Sequence, residues 1–180
     1  MKIVIIGTGN VATVLARKIL QSGHLIIQVA GRNKAHVQTL GLLLKTPYTD
    51  SFYEVADNSA LTDIDSWLPQ QEHGIVVHTA GAVSKLVLKK VAESYGVLYP
   101  LQSLRSNSRV IPEIPFLIDA DSPDTLQQII SFSASLSGKV AFADDETRMK
   151  LHTGAVIVNN FPNYLYTLTQ DFCAKENLDF

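Results

Sequence analysis

The chain has 180 residues, a formal net charge of −2, 46% hydrophobic and 18% charged side chains, which is room for one good-sized domain or one plus a fragment of another and excludes a disordered chain. One cysteine, Cys173, excludes a disulfide framework and fits a reducing compartment, so the expected location is cytoplasmic. No apolar run approaches the ~20 residues of a membrane span, the N-terminus enters a strand with no cleavable signal pattern, and the histidines lack metal-ligand spacing.

Residues 1–33 carry the strongest signal. Ile3 to Ile6 form a short β-branched run, as in a strand buried on both faces, and lead into Gly7-Thr8-Gly9-Asn10-Val11-Ala12, a G-x-G-x-x-A turn. Val11, Leu15 and Ile19 then recur at helical spacing up to Gly23, a C-cap position, and a second apolar run spans Leu25 to Ala30. Strand, glycine turn, helix and strand in this order predict a dinucleotide site. Gly7 permits the tight turn, Gly9 lets the backbone approach a pyrophosphate, and Ala12 lets helix and strand pack closely, while the helix start attracts the phosphate charge. Methyltransferases also use a glycine turn after a first strand, but prefer an acid before it; here that position is Ile6.

The end of the second strand selects the cofactor. An NAD-binding chain places Asp or Glu about 20 residues past the glycines to bond the ribose 2′-OH. Here no acid precedes Asp50, and Gly31-Arg32-Asn33 stands at that point. A guanidinium can bind a 2′-phosphate bidentately where a carboxylate would repel it, so Arg32 favours NADP; the other reading is a solvated arginine in a surface turn. Charge follows the same division: residues 1–49 carry six basic side chains and no acid, and the remainder is −8. That basic excess is too small, and too poor in interleaved aromatics, for nucleic acid.

Further along, residues 34–45 predict a helix with Val37, Leu40 and Leu44 inward, loosened by Gly41 and ended before Pro47. Thr49 to Val55 can supply a short strand, and Asp57-Asn58-Ser59 can cap a helix that Pro69 stops. Gly74 to Thr79 reads as a buried strand, Ser84 to Tyr95 as a helix, Gly96 to Tyr99 as a strand halted by Pro100, and Ile114 to Ile118 as another strand. Ser122-Pro123-Asp124 opens a helix reaching about Leu136, Val140 to Ala143 makes a last strand, and Asp144-Asp145-Glu146 opens a final helical region. Alternating strands and helices imply an α/β fold with a mostly parallel, doubly wound, Rossmann-like sheet.

Ligands in such folds sit beyond the C-terminal ends of the strands. Three later ends carry polar groups there: Ala56-Asp57-Asn58, His78-Thr79-Ala80-Gly81 and Gln102-Ser103. Gly81 would let a backbone approach the nicotinamide end, although each segment alone also reads as plain turn chemistry. In the final helix, Lys150 or His152 could donate the proton that carbonyl reduction needs, and an Asn amide could hold substrate. His152 and Asn159 share a helical face, Asn160 lies about 80° round from His152, and Pro162 could kink the helix nearby. The plainer reading is a solvated Lys150 and a satisfied, half-buried His152.

GTGNVA, GRN, V-A-D-N, VVHTAGAVS, GVLYPLQSL, IPFLIDA and K-L-H-x-x-A-V-x-x-x-N together resemble a family of Rossmann-type NADP oxidoreductases. The family is related to the deazaflavin-dependent NADP reductases and to pyrroline-5-carboxylate reductase, and some members are ketopantoate reductases. The resemblance spans nearly the whole chain. It implies an NADP-binding domain over residues 1–143 and, from 144 to 180, the beginning of an all-helical domain that forms a dimer interface, with the active site between them. The residues expected to serve the cofactor are Gly7, Thr8, Gly9, Asn10, Val11, Arg32, Asn33, Ala56 and Asp57, and the resemblance implies that His78, Thr79 and Gly81 line its nicotinamide side. By the same resemblance Gln102 and Ser103 would face substrate, with His152 and Asn160 reaching across from the helical side; Lys150 stays the alternative donor from the reading of the residues above.

Two departures stand out. Asp50 to Asp57 is too short for both the third strand and the apolar strand that the family carries before V-x-D, so the sheet is expected to lack a strand or the sequence to lack residues. The family's helical domain also runs further than Phe180. Short-chain dehydrogenase chemistry is set aside, since no Tyr is followed four residues on by Lys. The expected activity is hydride transfer between NADPH and a small carbonyl or imine, such as a 2-keto acid; the competing expectation is a non-catalytic NADP(H)-sensing module.

Overall fold

The computed structural model describes residues 1–51 and 71–180. β1 (Lys2–Ile6), α1 (Asn10–Gln21) and β2 (Leu25–Ala30) fall where the sequence predicts, followed by α2 (Lys34–Leu44) and the two-residue β3 (Tyr48–Thr49). β1 explains its own unbroken apolar run: Ile3 and Ile5 pack into the main core with Leu15 and Ile19 of α1, while Val4 and Ile6 meet Ala30 on the opposite face. Gly41 does more than loosen α2. A Cβ there would lie 2.5 Å from the Tyr48 ring, so the glycine is the space that ring occupies.

The second half consists of β4 (Gln71–His78), a 3-10 helix over Lys85–Lys90, β5 (Ala92–Pro100), β6 (Phe116–Ala120), α3 (Pro123–Leu136), β7 (Val140–Phe142) and α4 (Asp145–Lys175). Ser122 caps α3, its side chain accepting from the Thr125 N–H, and Asp144 caps α4 through Thr147. α3 turns Ile129, Phe132 and Leu136 into the same core that holds β1 and α1.

Two predicted elements differ. The expected helix from Ser84 to Tyr95 is only the 3-10 segment, and β5 begins at Ala92 and includes Pro100. Tertiary pairing overrides helical propensity here, because β5 is flanked on both sides, by β4 in parallel and β6 antiparallel. Gly96 permits the close β6 approach: a Cβ there would sit 2.4 Å from the Asp119 carbonyl oxygen. The strand expected from Ile114 starts instead at Phe116, since Pro115 has no N–H to give the ladder, and the Phe116 N–H bonds the Lys139 carbonyl. The expected strand from Thr49 to Val55 is seen only at Tyr48–Thr49; the remainder and the predicted helix over 57–69 lie outside the described residues.

Among the described residues the strands form two sheets, β1-β2-β3, all parallel, and β4-β5-β6-β7, antiparallel only between β5 and β6. The usual doubly wound order sets strand 1 beside strand 4. Here no ladder joins β1 to β4, and a cavity of about 500 Å³ lies between them, lined by Ile3, Ile75, Val77, Leu98 and, from α3, Ile129 and Phe132. Among the described residues the two sheets are not joined by a ladder, although one hydrophobic cluster spans both halves.

Candidate active site

The β1–α1 turn is built to receive an anion. Gly7 has φ +117°, a conformation open to glycine, and its N–H bonds the Ala30 carbonyl at 2.8 Å, fixing the turn against β2. Gly9 is the N-cap of α1, yet no side chain among the described residues caps the helix there and no acid lies in its first turn. A Cβ on Gly9 would meet nothing within 4 Å among the described residues. Bare helix-start N–H groups beside an open approach fit a pyrophosphate, with Thr8, Asn10 and Val11 around it. The Asn10 side chain itself accepts from the Ser106 N–H at 3.1 Å, and Arg17 holds the carbonyl of Ser108 at 2.9 Å, tying α1 to the loop after β5. Gly31 is buried against Thr8, with exposed Arg32 and Asn33 directly after it; Asn33 caps α2, accepting from His36 N–H.

A second group assembles where β4, β5 and α4 meet. His78 ends β4, is 1% exposed, and accepts the Ala80 N–H on Nδ1 at 3.2 Å. Its pKa is held down to about 4, by burial first and then by the Arg148 guanidinium, against the opposing pull of Asp145 and the Ser84 backbone. The ring is therefore neutral, with its proton on Nε2, which has no hydrogen-bond partner among the described residues. Tyr99, on β5, places its hydroxyl 2.7 Å from Nδ1 of His152 on α4, with the rings edge to face. Burial raises the Tyr99 pKa, with Arg148 pulling the other way, so the phenol keeps its proton.

α4 is braced into this position at its first turn. Asp145 accepts from the Ser84 hydroxyl and from the Lys85 N–H, and pairs with Arg148 at 2.6 Å. Burial pushes the Asp145 carboxyl up, but these three donors outweigh it and hold it below the usual carboxylate range. Arg148 is buried and also bonds the Val83 carbonyl, leaving Nε and Nη1 without partners among the described residues. His152 follows one turn later, half-buried.

The predicted residues divide accordingly. His78, Thr79, Gly81 and His152 come together; Thr79 and Gly81 are buried, and Gly81 faces the His152 and Tyr99 rings rather than open space for a nicotinamide. Gln102 has a buried Oε1 with no hydrogen-bond partner among the described residues, whereas exposed Ser103 lines a separate hollow of about 220 Å³ with Val14 and Leu104. Lys150 is exposed and pairs with Glu146 one turn back at 2.6 Å. Asn160 is exposed and accepts from Asn159, so neither is brought to His152. α4 continues through Pro162. Ala56 and Asp57 lie outside the described residues. Tyr99 and Arg148 were not singled out from sequence; the Asp145–Arg148 spacing of three on a helix was the readable sign of the brace.

A Rossmann start with an open glycine turn, and a cluster of tyrosine and histidine beyond the later strands, define the class: a dinucleotide-dependent oxidoreductase. The sequence pattern of the saccharopine dehydrogenase NADP binding domain matches residues 3–114, and that of a domain of unknown function, DUF2520, matches residues 114–180. The chain belongs to the saccharopine dehydrogenase NADP-binding domain family, uses NADP, and is an NADP-dependent oxidoreductase. It is similar to a candidate NADP oxidoreductase from Bacteroides fragilis at 32% identity and TM-score 0.88, over 98% of this chain and 73% of that one. The fold is shared with 1-pyrroline-5-carboxylate reductase from Streptococcus pyogenes (15% identity, 93% of this chain and 66% of that one, TM-score 0.65). It is also shared with a reductive aminase from Aspergillus terreus in complex with NADPH and ethyl-5-oxohexanoate (13% identity, 99% and 67%, TM-score 0.68). No curated protein matches the chain. No helix among the described residues is long and apolar enough to cross a membrane.

Proposed function

We propose that the protein reduces the carbon–oxygen or carbon–nitrogen double bond of a small substrate, with His152 as the proton donor. NADPH, when bound, supplies the hydride to the substrate carbon. Gly7, Gly9 and the start of α1 would hold the pyrophosphate, and Arg32, with Asn33 beside it, the 2′-phosphate of the adenosine ribose. His78 stays neutral and shapes the wall below, while the amide of Gln102 offers its unpartnered oxygen to a substrate donor. The carrying observation is the half-buried His152 ring, bonded among the described residues on one nitrogen only, at the ends of β4 and β5. The reductive aminase and pyrroline-5-carboxylate reductase relatives in fold support a carbonyl or imine as the reacting group.

We read residues 144–180 as the start of the substrate and dimerisation region. Phe161, Leu165, Leu168 and Phe172 of α4 are all large, apolar and about half or more exposed, a row at helical spacing that a second copy would cover. The lone cysteine supports a cytoplasmic location. The test is incubation of intact protein with NADPH and a panel of 2-keto acids, ketopantoate first, then cyclic imines. Loss of the NADPH absorbance band supports the reading. Saturable NADPH binding with no oxidation by any member would overturn it in favour of an NADP(H) sensor.

A further inference from the structure

We infer that Tyr99 is a positioning residue for the proposed reduction: its hydroxyl occupies Nδ1 of His152 so that Nε2 is the nitrogen that exchanges a proton with substrate. The inference rests on the reductase reading and names the atom that does the work in it. The Tyr99 side chain is largely buried, and its hydroxyl lies 2.7 Å from Nδ1. No other acceptor for that O–H exists among the described residues. A neutral phenol therefore donates to Nδ1, and a neutral imidazole that accepts there carries its own proton on Nε2.

A hydroxyl is suited to this duty because it can reverse its role. When His152 takes a second proton, Nδ1–H donates to the phenol oxygen instead. Proton transfer then balances without charging the tyrosine. As the substrate carbon accepts hydride, its oxygen or nitrogen takes the Nε2 proton of the imidazolium. The N–H bond breaks, the ring is left neutral with one proton on Nδ1, and solvent later restores the other.

Three elements hold the pair. Tyr99 is fixed in β5 opposite Leu117, α4 is pinned by Asp145 and Arg148 one turn before His152, and Gly81 after β4 contributes no Cβ where the two rings meet. Removing the hydroxyl while keeping the ring, as in Tyr99→Phe, leaves the packing and frees the imidazole to turn.

The test has one arm that needs no substrate. In intact protein carrying 15N-labelled histidine, the neutral His152 ring is expected to show a bare, hydrogen-bonded Nδ1 and a protonated Nε2, with the Nδ1 resonance moving in Tyr99→Phe. A proton found on Nδ1, or a resonance unmoved by the substitution, overturns the pairing. In the kinetic arm, Tyr99→Phe and His152→Gln are each expected to lower kcat by about ten- to a thousandfold with the KM for NADPH within about twofold. The double variant should be no slower than the slower single one. Losses that multiply, or a Tyr99→Phe rate near wild type, overturn the coupling. Absence of any turnover with the nitrogen assignment intact would defeat the reductase reading, and proton transfer with it, while leaving the pairing in place.

Discussion

Gly81 and His152 share one small volume. A Cβ built on Gly81 would come 2.6 Å from Nδ1 of His152 and 2.7 Å from Cζ of Tyr99, closer than real atoms pack. Gly81→Ala must displace the imidazole, the phenol or the loop after β4. We expect a destabilisation of about 1–3 kcal/mol in urea unfolding, typical of overpacking. The loss in kcat should exceed what that figure implies for the folded fraction, because it is the ring pair that moves. Wild-type stability and rate in this variant would mean the loop yields freely.

Lys150 and His152 are two residues apart on one helix and meet different surroundings. Lys150 is about three-quarters exposed and paired with Glu146 across one turn, an arrangement worth at most about 1 kcal/mol. Lys150→Ala should leave stability within about 0.5 kcal/mol of wild type and turnover within about twofold. His152→Gln should cost about ten- to a thousandfold in kcat. The reverse pattern in steady-state rates would return the donor role to the lysine.

How much of this was readable beforehand follows from the range of each interaction. The β1–α1–β2 unit and the caps at Ser122 and Asp144 were legible because strand run, glycine turn and capping residue act within a few positions of one another. The stretch from Ser84 to Tyr95 misled for the opposite reason: its local pattern suits a helix, and only pairing with β4 and β6 makes its second part a strand. Tyr99 was hidden inside the alternation of GVLYP. Its partner is 53 positions away, a distance at which spacing carries no information. Asn159 illustrates the limit from the other side: it shares a helical face with His152, yet its amide donates to Asn160 instead.

Arg32 sits immediately after the buried Gly31, at the end of the strand whose Ala30 carbonyl anchors the glycine turn. That placement suits a clamp on the 2′-phosphate. Arg32→Ala should weaken NADPH binding by about ten- to a hundredfold, the value of a charge-assisted pair, and leave NADH affinity within about twofold. Fluorescence titration with both nucleotides measures this. Equal losses for the two, or none, would remove Arg32 from cofactor selection.

His78 links the site to the stability of the whole fold through pH. Its pKa is about 4 in the folded chain against 6.5 for an ordinary histidine, because burial and the Arg148 guanidinium both oppose a charge there. The unfolded chain therefore binds a proton between pH 6.5 and 4 that the native chain refuses, and stability is lost as pH falls through that window. At about 1.4 kcal/mol per unit the whole effect is about 3 kcal/mol at most, most of it gone by pH near 4.5. His78→Gln removes the titrating group but keeps a polar side chain, so the wild-type-minus-variant stability in urea should shrink between pH 7 and about 4.5. Asp145, held below the usual carboxylate range, contributes its own loss only at lower pH, outside this interval. A difference that stays constant with pH would show that His78 takes up its proton in the native state, and that the ring is less sealed by Arg148 and the end of β4 than its 1% exposure indicates.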